Sequence, residues 1–108
     1  MSSNLLELAA ESKALNSKIF SLPRILLLSA LAELPEGEGA TYRELRAGLA
    51  LDDGVVFANL KVLAKMEYVQ ESKVKLENEK MTQYFITGAG REALAGVRAW
   101  LARWSRGV

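Results

Sequence analysis

Apolar side chains recur at helical spacing through the first third of the chain. A first helix is predicted over residues 3–18, where three leucines fall on one stripe: Leu5, Leu8 and Leu15. A second helix is predicted over residues 22–34, with Ser21 as its N-cap and Pro23 in its first turn, where the missing N–H costs nothing. The run PEGEG at 35–39 ends this helix.

The middle of the chain has the pattern of two short helices joined by a tight turn. The stretch TYRE predicts a capping box, in which the Thr41 hydroxyl accepts from the backbone N–H of Glu44 and the Glu44 carboxylate accepts from that of Thr41. Asp52 or Asp53 then caps the second helix, whose apolar positions also keep helical spacing. We therefore predict a helix-turn-helix over residues 41–67.

The period changes from helical to alternating after the second of these helices. Two strands are predicted, over residues 68–74 and 82–87, with the polar segment KLENEKM as the hairpin tip between them. Residues 88–108 return to helical period, and a broad apolar arc on this last helix includes Val97, Trp100, Leu101 and Trp104. Four arginines lie outside that arc against a single acid, so this segment carries a charge of +3.

Composition narrows the classes of function. The chain of 108 residues is 50% hydrophobic, which suggests one folded domain over residues 1–108. It has no cysteine and no histidine, which removes thiolate and imidazole metal sites and the usual general base, so we expect no enzyme, no metal and no cofactor. Without a signal peptide or an apolar run long enough to span a bilayer, a cytoplasmic protein that does not enter the membrane is expected.

The order of the predicted elements resembles that of a known family. The segments LPRILLLSALAEL, TYRELRAGLALDDGVVFANLKVLAKMEYV and TQYFITGAGREAL are similar to the winged helix-turn-helix domains of MarR/ArsR-like transcriptional regulators, in particular compact archaeal-type ones. The resemblance covers about residues 22–95. It implies a mainly α fold with a small β-hairpin, classed as α+β, with the hairpin at 68–87 as the wing and extra helices at 1–20 and 88–108.

The resemblance also implies double-stranded DNA as a partner, with the helix of DDGVVFANLKVLAKM in the major groove. Val56, Leu60 and Leu63 belong to its core face. The residues predicted to contact DNA lie on the outward part of this helix, on the helix before it and on the wing: Val55, Phe57, Ala58, Asn59, Lys61, Lys65, Thr41, Tyr42, Arg43, Arg46, Lys73, Lys75 and Lys80.

Several of these assignments have alternatives. In the alternative for Phe57 and Val55, these side chains would pack on the wing or the preceding helix, or would form a protein-binding patch. Asn59 would be an amide whose hydrogen bonds are satisfied within its helix. Arg46 would pair with a nearby carboxylate. In the wing, lysines alternate with Glu71, Glu77 and Glu79, so that opposing charges partly cancel the field felt by a phosphate.

The two terminal helices carry more apolar surface than a single winged helix needs to cover. We therefore predict a homodimer with an interface formed by Leu5, Leu8, Leu15, Val97, Trp100, Leu101 and Trp104, and a cleft there for a small apolar effector. The alternative is that the terminal helices pack on each other within one chain, and a lesser one is binding to a membrane surface. The leading function is a homodimeric DNA-binding transcriptional regulator; a winged helix used as a protein–protein interaction module is the second.

Overall fold

A computed structural model describes residues 3–107. Its helices are α1 (Ser3–Ser12), a 3₁₀ turn (Ser17–Ile19), α2 (Leu22–Glu33), α3 (Tyr42–Leu49), α4 (Asp53–Lys65) and α5 (Gly88–Gly107), and its strands are β1 (Ala40–Thr41), β2 (Val69–Leu76) and β3 (Glu79–Ile86). The strands form one antiparallel sheet in the order β1-β3-β2. This is the predicted α+β winged helix with additional terminal helices.

The first helix is shorter than predicted and ends at Ser12 rather than near residue 18. The chain turns because Asn16 caps the 3₁₀ segment, with its side-chain oxygen accepting from the backbone N–H of Lys18 at 3.0 Å. The Asn16 amide nitrogen also donates to the hydroxyl of Tyr68 at 3.1 Å. A side chain that bonds local and distant groups in this way competes with continuation of the helix.

The caps predicted for α2 and α3 are confirmed, whereas Asp52 occupies the N-cap position of α4 without a side-chain capping hydrogen bond. The hydroxyl of Ser21 accepts from the backbone N–H of Arg24 at 3.3 Å, and Pro23 lies in the first turn of α2. The capping box of α3 is complete, because the backbone N–H of Thr41 donates to Glu44 Oε1 at 3.0 Å and that of Glu44 donates to Thr41 Oγ1 at 3.2 Å. The Thr41 hydroxyl is thereby satisfied although the residue is buried.

The wing is a longer and tighter hairpin than predicted. Its strands run to Leu76 and from Glu79, so most of the segment expected as a polar tip is strand. Only Glu77 and Asn78 form the turn, and both have positive φ (51° and 68°), as a two-residue hairpin turn of type I′ requires. Strand β1, which the sequence pattern did not predict, pairs its residue Ala40 with Tyr84 of β3.

The core lies between α2, α4, α5 and the inner face of the sheet. Its fully covered side chains include Leu27, Leu28, Leu31, Val56, Leu60, Leu63 and Val97. Helix α2 packs on α4, α5 and β3, and α4 packs on β2, so α4 and the wing lie side by side. None of the helices within residues 3–107 has the length and apolar character needed to cross a membrane.

The terminal helices α1 and α5 pack on each other within the chain, which was the alternative to the dimer interface. The Trp100 indole Nε1 donates to the backbone carbonyl of Leu8 at 2.8 Å, and Arg103 pairs with Glu11. Leu8 and Val97 were predicted to face a partner but are instead buried within the chain, because these contacts close α1 over α5. Among the predicted interface residues, Trp104 is 49% exposed.

Candidate nucleic-acid interface

Helix α4 separates an apolar inner face from a mixed outer face. Val56, Leu60 and Leu63 are at most 1% exposed, which confirms them as core. On the outer side, Phe57 is 55% exposed, and Ala58, Lys61 and Lys65 are exposed as well. The outer face therefore offers an aromatic ring, a methyl group and two ammonium groups to whatever approaches it.

The amide of Asn59 is occupied within the chain. Its nitrogen donates to the backbone carbonyl of Val55 at 2.8 Å, and its oxygen accepts from Nε of Arg24 at 2.9 Å. Arg24 is itself fixed, because its Nη1 donates to the carbonyl of Lys18 at 2.5 Å. The half-buried Asn59 matches the alternative of a satisfied amide, because each of its polar atoms already makes a hydrogen bond within the chain.

Lys61 is positioned by two neighbours. Its Nζ lies 3.4 Å from Oε1 of Glu71 on β2 and 5.4 Å from the centroid of the Phe57 ring. The ammonium group thus bridges α4 and the wing and holds a cation–π contact along the helix. Lys65, one turn later, has no ion pair within the part of the chain that the structure describes, so its charge is available to a phosphate.

Two side chains of α3 that were predicted to contact DNA instead bind to the start of α4. Arg46 Nε lies 3.0 Å from Asp53 Oδ1, which is the carboxylate pairing considered as its alternative. The Tyr42 hydroxyl donates to the backbone carbonyl of Asp53 at 2.8 Å. Desolvation, and then the neighbouring Asp53 carboxylate, raise the pKa of the Tyr42 phenol above its ordinary value. Arg43 is exposed beside this junction.

The wing lysines share one face of the hairpin. Lys75 pairs directly with Lys80 and Lys73 with Thr82, and side chains two residues apart on a strand point to the same side. The same face carries the buried side chains of Val69 and Tyr84, which identifies it as the side turned toward the helices.

The acids of the wing are distributed differently. Glu77 lies in the turn and Glu79 belongs to the opposite face by strand alternation. Glu71 is on the lysine face, but it pairs with Lys61. Glu71 thus lowers the charge of the lysine face, as the alternating sequence predicts, whereas Glu77 and Glu79 lie off that face.

A groove of about 350 Å³ lies between the start of α3, the outer side of α4 and strand β3. Its lining residues are Thr41, Tyr42, Arg43, Phe57, Glu79, Lys80, Met81, Thr82 and Tyr84. Burial, and then the carboxylate of Glu71, raise the pKa of the Tyr84 phenol in its wall. Arg43, Phe57 and Lys80 come from three different elements, and the fold brings them to one opening.

Three residues of this region were missed by sequence reasoning. Glu71 orients Lys61, while Thr82 and Tyr84 form the wall of the groove on β3. The hairpin register would have found them, because Glu71 and Tyr84 are directly paired and lie on the lysine face. That register depends on where the turn falls, and the turn was placed over too many residues.

The sequence matches the family model described as "Winged helix DNA-binding domain" over residues 24–104. The chain belongs to this winged helix family. In its terms, α3 and α4 form the helix-turn-helix and β2–β3 is the wing. No curated protein matches the sequence significantly.

Several solved structures share the fold. A PadR family transcription regulator from hypervirulent Clostridium difficile R20291 is 16% identical, with a TM-score of 0.67 over 80% of this chain and 92% of that one. A MarR family transcriptional regulator from Silicibacter pomeroyi is 17% identical, with a TM-score of 0.57 over 97% and 68%. The heme sensor protein PefR from Streptococcus agalactiae, in complex with heme, is 17% identical, with a TM-score of 0.68 over 94% and 69%.

Proposed function

We propose that this protein is a DNA-binding transcriptional regulator, with α4 in the major groove and the wing along the phosphate backbone. The observation that carries the proposal is that Lys73, Lys75 and Lys80 share one face of the hairpin. Lys80 also lines the groove beside α4. Three ammonium groups on one protruding strand pair concentrate positive charge that the net charge of +1 conceals.

The phosphate contacts are assigned to residues that have no ion pair within residues 3–107. These are Arg43 at the start of α3, Lys65 on α4 and the three wing lysines, all of them exposed. Arg46 is excluded because it neutralises Asp53, and Lys61 contributes less because it shares its charge with Glu71. Asn59 is left out as a base reader because both polar atoms of its amide are bonded internally.

The test is a filter-binding titration on a mixed-sequence duplex, repeated at several salt concentrations between roughly 50 and 200 mM. If the cationic face neutralises phosphates, the plot of log affinity against log salt falls with a slope of about −0.9 for each phosphate contacted. Five contacts from one chain give a slope of about −4 to −5. An affinity that does not respond to salt, or no binding at the lowest salt, contradicts the proposal.

A matched pair of substitutions tests whether the wing causes the salt dependence of binding. Lys75→Gln removes a charge from the lysine face and is expected to flatten the slope by about one unit. Lys13→Gln removes the same charge after α1, which packs on α5 rather than on the helix-turn-helix, and is expected to leave the slope unchanged. Equal effects of the two changes would mean that the wing is not the contact surface.

The proposal includes a homodimer. Among the residues whose side chains the structure describes, four large apolar ones are exposed outside α4: Leu6 on α1, Phe20 and Leu22 where α2 begins, and Trp104 on α5. Of these, Trp104 belongs to the predicted interface, whereas the other three do not. In a two-fold dimer, two copies of α4 would enter major grooves about one helical turn, roughly 34 Å, apart. A cleft for a small apolar effector between the subunits stays a prediction.

A further inference from the structure

The outer face of α4 has little capacity to read bases by hydrogen bonds. Its exposed polar groups are the ammonium groups of Lys61 and Lys65, and an ammonium is a point donor that suits a phosphate as well as a base. Ala58 offers only a methyl group, and the amide of Asn59 is bonded to Arg24 and Val55. Any base preference of this helix must come mostly from apolar contact.

Phe57 is the largest apolar group on that face. Its side chain is more than half exposed although the groove walls of α3 and β3 stand beside it, so it does not pack into either of them. The ring is held in place by the Lys61 ammonium 5.4 Å from its centroid, and Lys61 is anchored in turn by Glu71. Anchoring reduces the conformational entropy that the ring would lose on forming a contact.

The charges around Phe57 indicate which partner it suits. Arg43 and Lys80 line the same groove together with the acid Glu79, and Lys61 lies over the ring. Cationic side chains therefore outnumber the acid of the groove around this apolar group. This arrangement matches the edge of a DNA groove, where phosphates flank the bases. In the major groove the apolar group that a base presents is the C5-methyl of thymine.

We infer that Phe57 is a specificity-determining residue that reads thymine C5-methyl groups in the major groove. The inference rests on the proposed DNA-binding function and deepens it, because it names the base feature to which α4 responds. The Lys61–Glu71 pair acts as the positioning element for the ring, while the wing lysines and Arg43 supply the contacts to phosphate that are independent of sequence.

The experiment compares two duplexes that differ only in this methyl group. One is an alternating A·T duplex of about three helical turns, and the other has deoxyuridine in place of every thymidine. Wherever the protein binds along the first duplex it meets the methyl groups, and along the second it meets none. The wild-type chain is expected to bind the deoxyuridine duplex about fourfold more weakly for each methyl contacted. The slope of affinity against salt should be the same for both duplexes, since the phosphates are unchanged.

Three variants test whether Phe57 is the residue that distinguishes the two duplexes. Phe57→Ala should bind both duplexes equally, and Phe57→Leu should keep part of the preference because it remains apolar. Lys13→Gln is the control, since Lys13 follows α1, which packs on α5 rather than on α4. It should discriminate as the wild type does, and thermal melting of each variant confirms that it is folded.

The outcomes separate this inference from the function on which it rests. Salt-dependent binding with equal affinity for the two duplexes overturns the role of Phe57 and leaves the DNA-binding function standing. Discrimination that persists in Phe57→Ala also overturns it, because the methyl is then read elsewhere. Failure to bind any duplex overturns both, and leaves the apolar outer face of α4 to a protein partner.

Discussion

Arg24 Nε donates to the side-chain oxygen of Asn59 across 2.9 Å, and this bond links α2 to α4. It continues on both sides, through Arg24 to the carbonyl of Lys18 and through Asn59 to the carbonyl of Val55. The one amide on α4 that has the right chemistry for reading adenine is thus part of the scaffold.

Asn59→Ala is therefore expected to affect stability rather than DNA recognition. Losing a hydrogen bond to a charged partner at a half-buried site, offset by the better helix propensity of alanine, should lower the unfolding free energy by about 1 kcal/mol. Urea unfolding measures that change, and titration with a duplex measures affinity. A variant that unfolds like the wild type but has lost base preference would restore Asn59 as a reader.

Gly90, in the first turn of α5, is expected to tolerate no side chain. A Cβ there would overlap the backbone carbonyl oxygen of Tyr68, and backbone cannot move aside as a flexible side chain can. Gly90→Ala should therefore destabilise the protein by about 2 kcal/mol or more. Chemical unfolding followed by circular dichroism provides the measurement.

Gly48 in α3 is the matched control for that change. A Cβ at Gly48 would meet nothing within 4 Å, and the residue lies inside a helix. Gly48→Ala should raise the unfolding free energy by about 0.5–1 kcal/mol, because alanine loses less backbone entropy on folding. Similar effects of the two substitutions would show that the contact between α5 and Tyr68 does not constrain the fold.

Tyr84 makes stability depend on pH at the alkaline end. Burial, reinforced by Glu71, raises the pKa of its phenol above the value of about 10 expected in the unfolded chain. The folded state then favours the protonated form, so its contribution to stability is complete below pH about 10 and is lost as pH rises through the folded pKa. Urea midpoints across this range should fall less steeply for Tyr84→Phe. If the urea midpoints of the wild type and of Tyr84→Phe fall in parallel with pH, Tyr84 does not cause the pH dependence of stability.

The exposed apolar surface near the terminal helices predicts self-association. The wild-type chain should scatter light as a dimer at tens of micromolar, and Trp104→Ser should shift it toward monomer, because aromatic side chains dominate the energetics of interfaces. Phe57→Ala, which removes an exposed ring on α4 instead, should leave the dimer intact. A wild-type monomer, or equal effects of the two variants, would count against this surface.

The sequence by itself determined most of the local structure. Helix starts could be predicted because Ser21 and the Thr41–Glu44 pair act on backbone groups within three residues of themselves. The inner face of α4 followed from the spacing of Val56, Leu60 and Leu63, since burial on one side of a helix leaves a period that can be counted. Local interactions of this kind require no knowledge of the rest of the chain.

Only the tertiary structure decided what the interface contains. Whether Asn59 reads a base depended on Arg24, which is 35 residues away in sequence. Whether the wing is neutral or cationic depended on strand register, because one residue of slip moves every side chain to the other face. Whether Leu8 and Val97 face solvent depended on the packing of α1 on α5. Each is a contact between distant segments, which a local pattern does not encode.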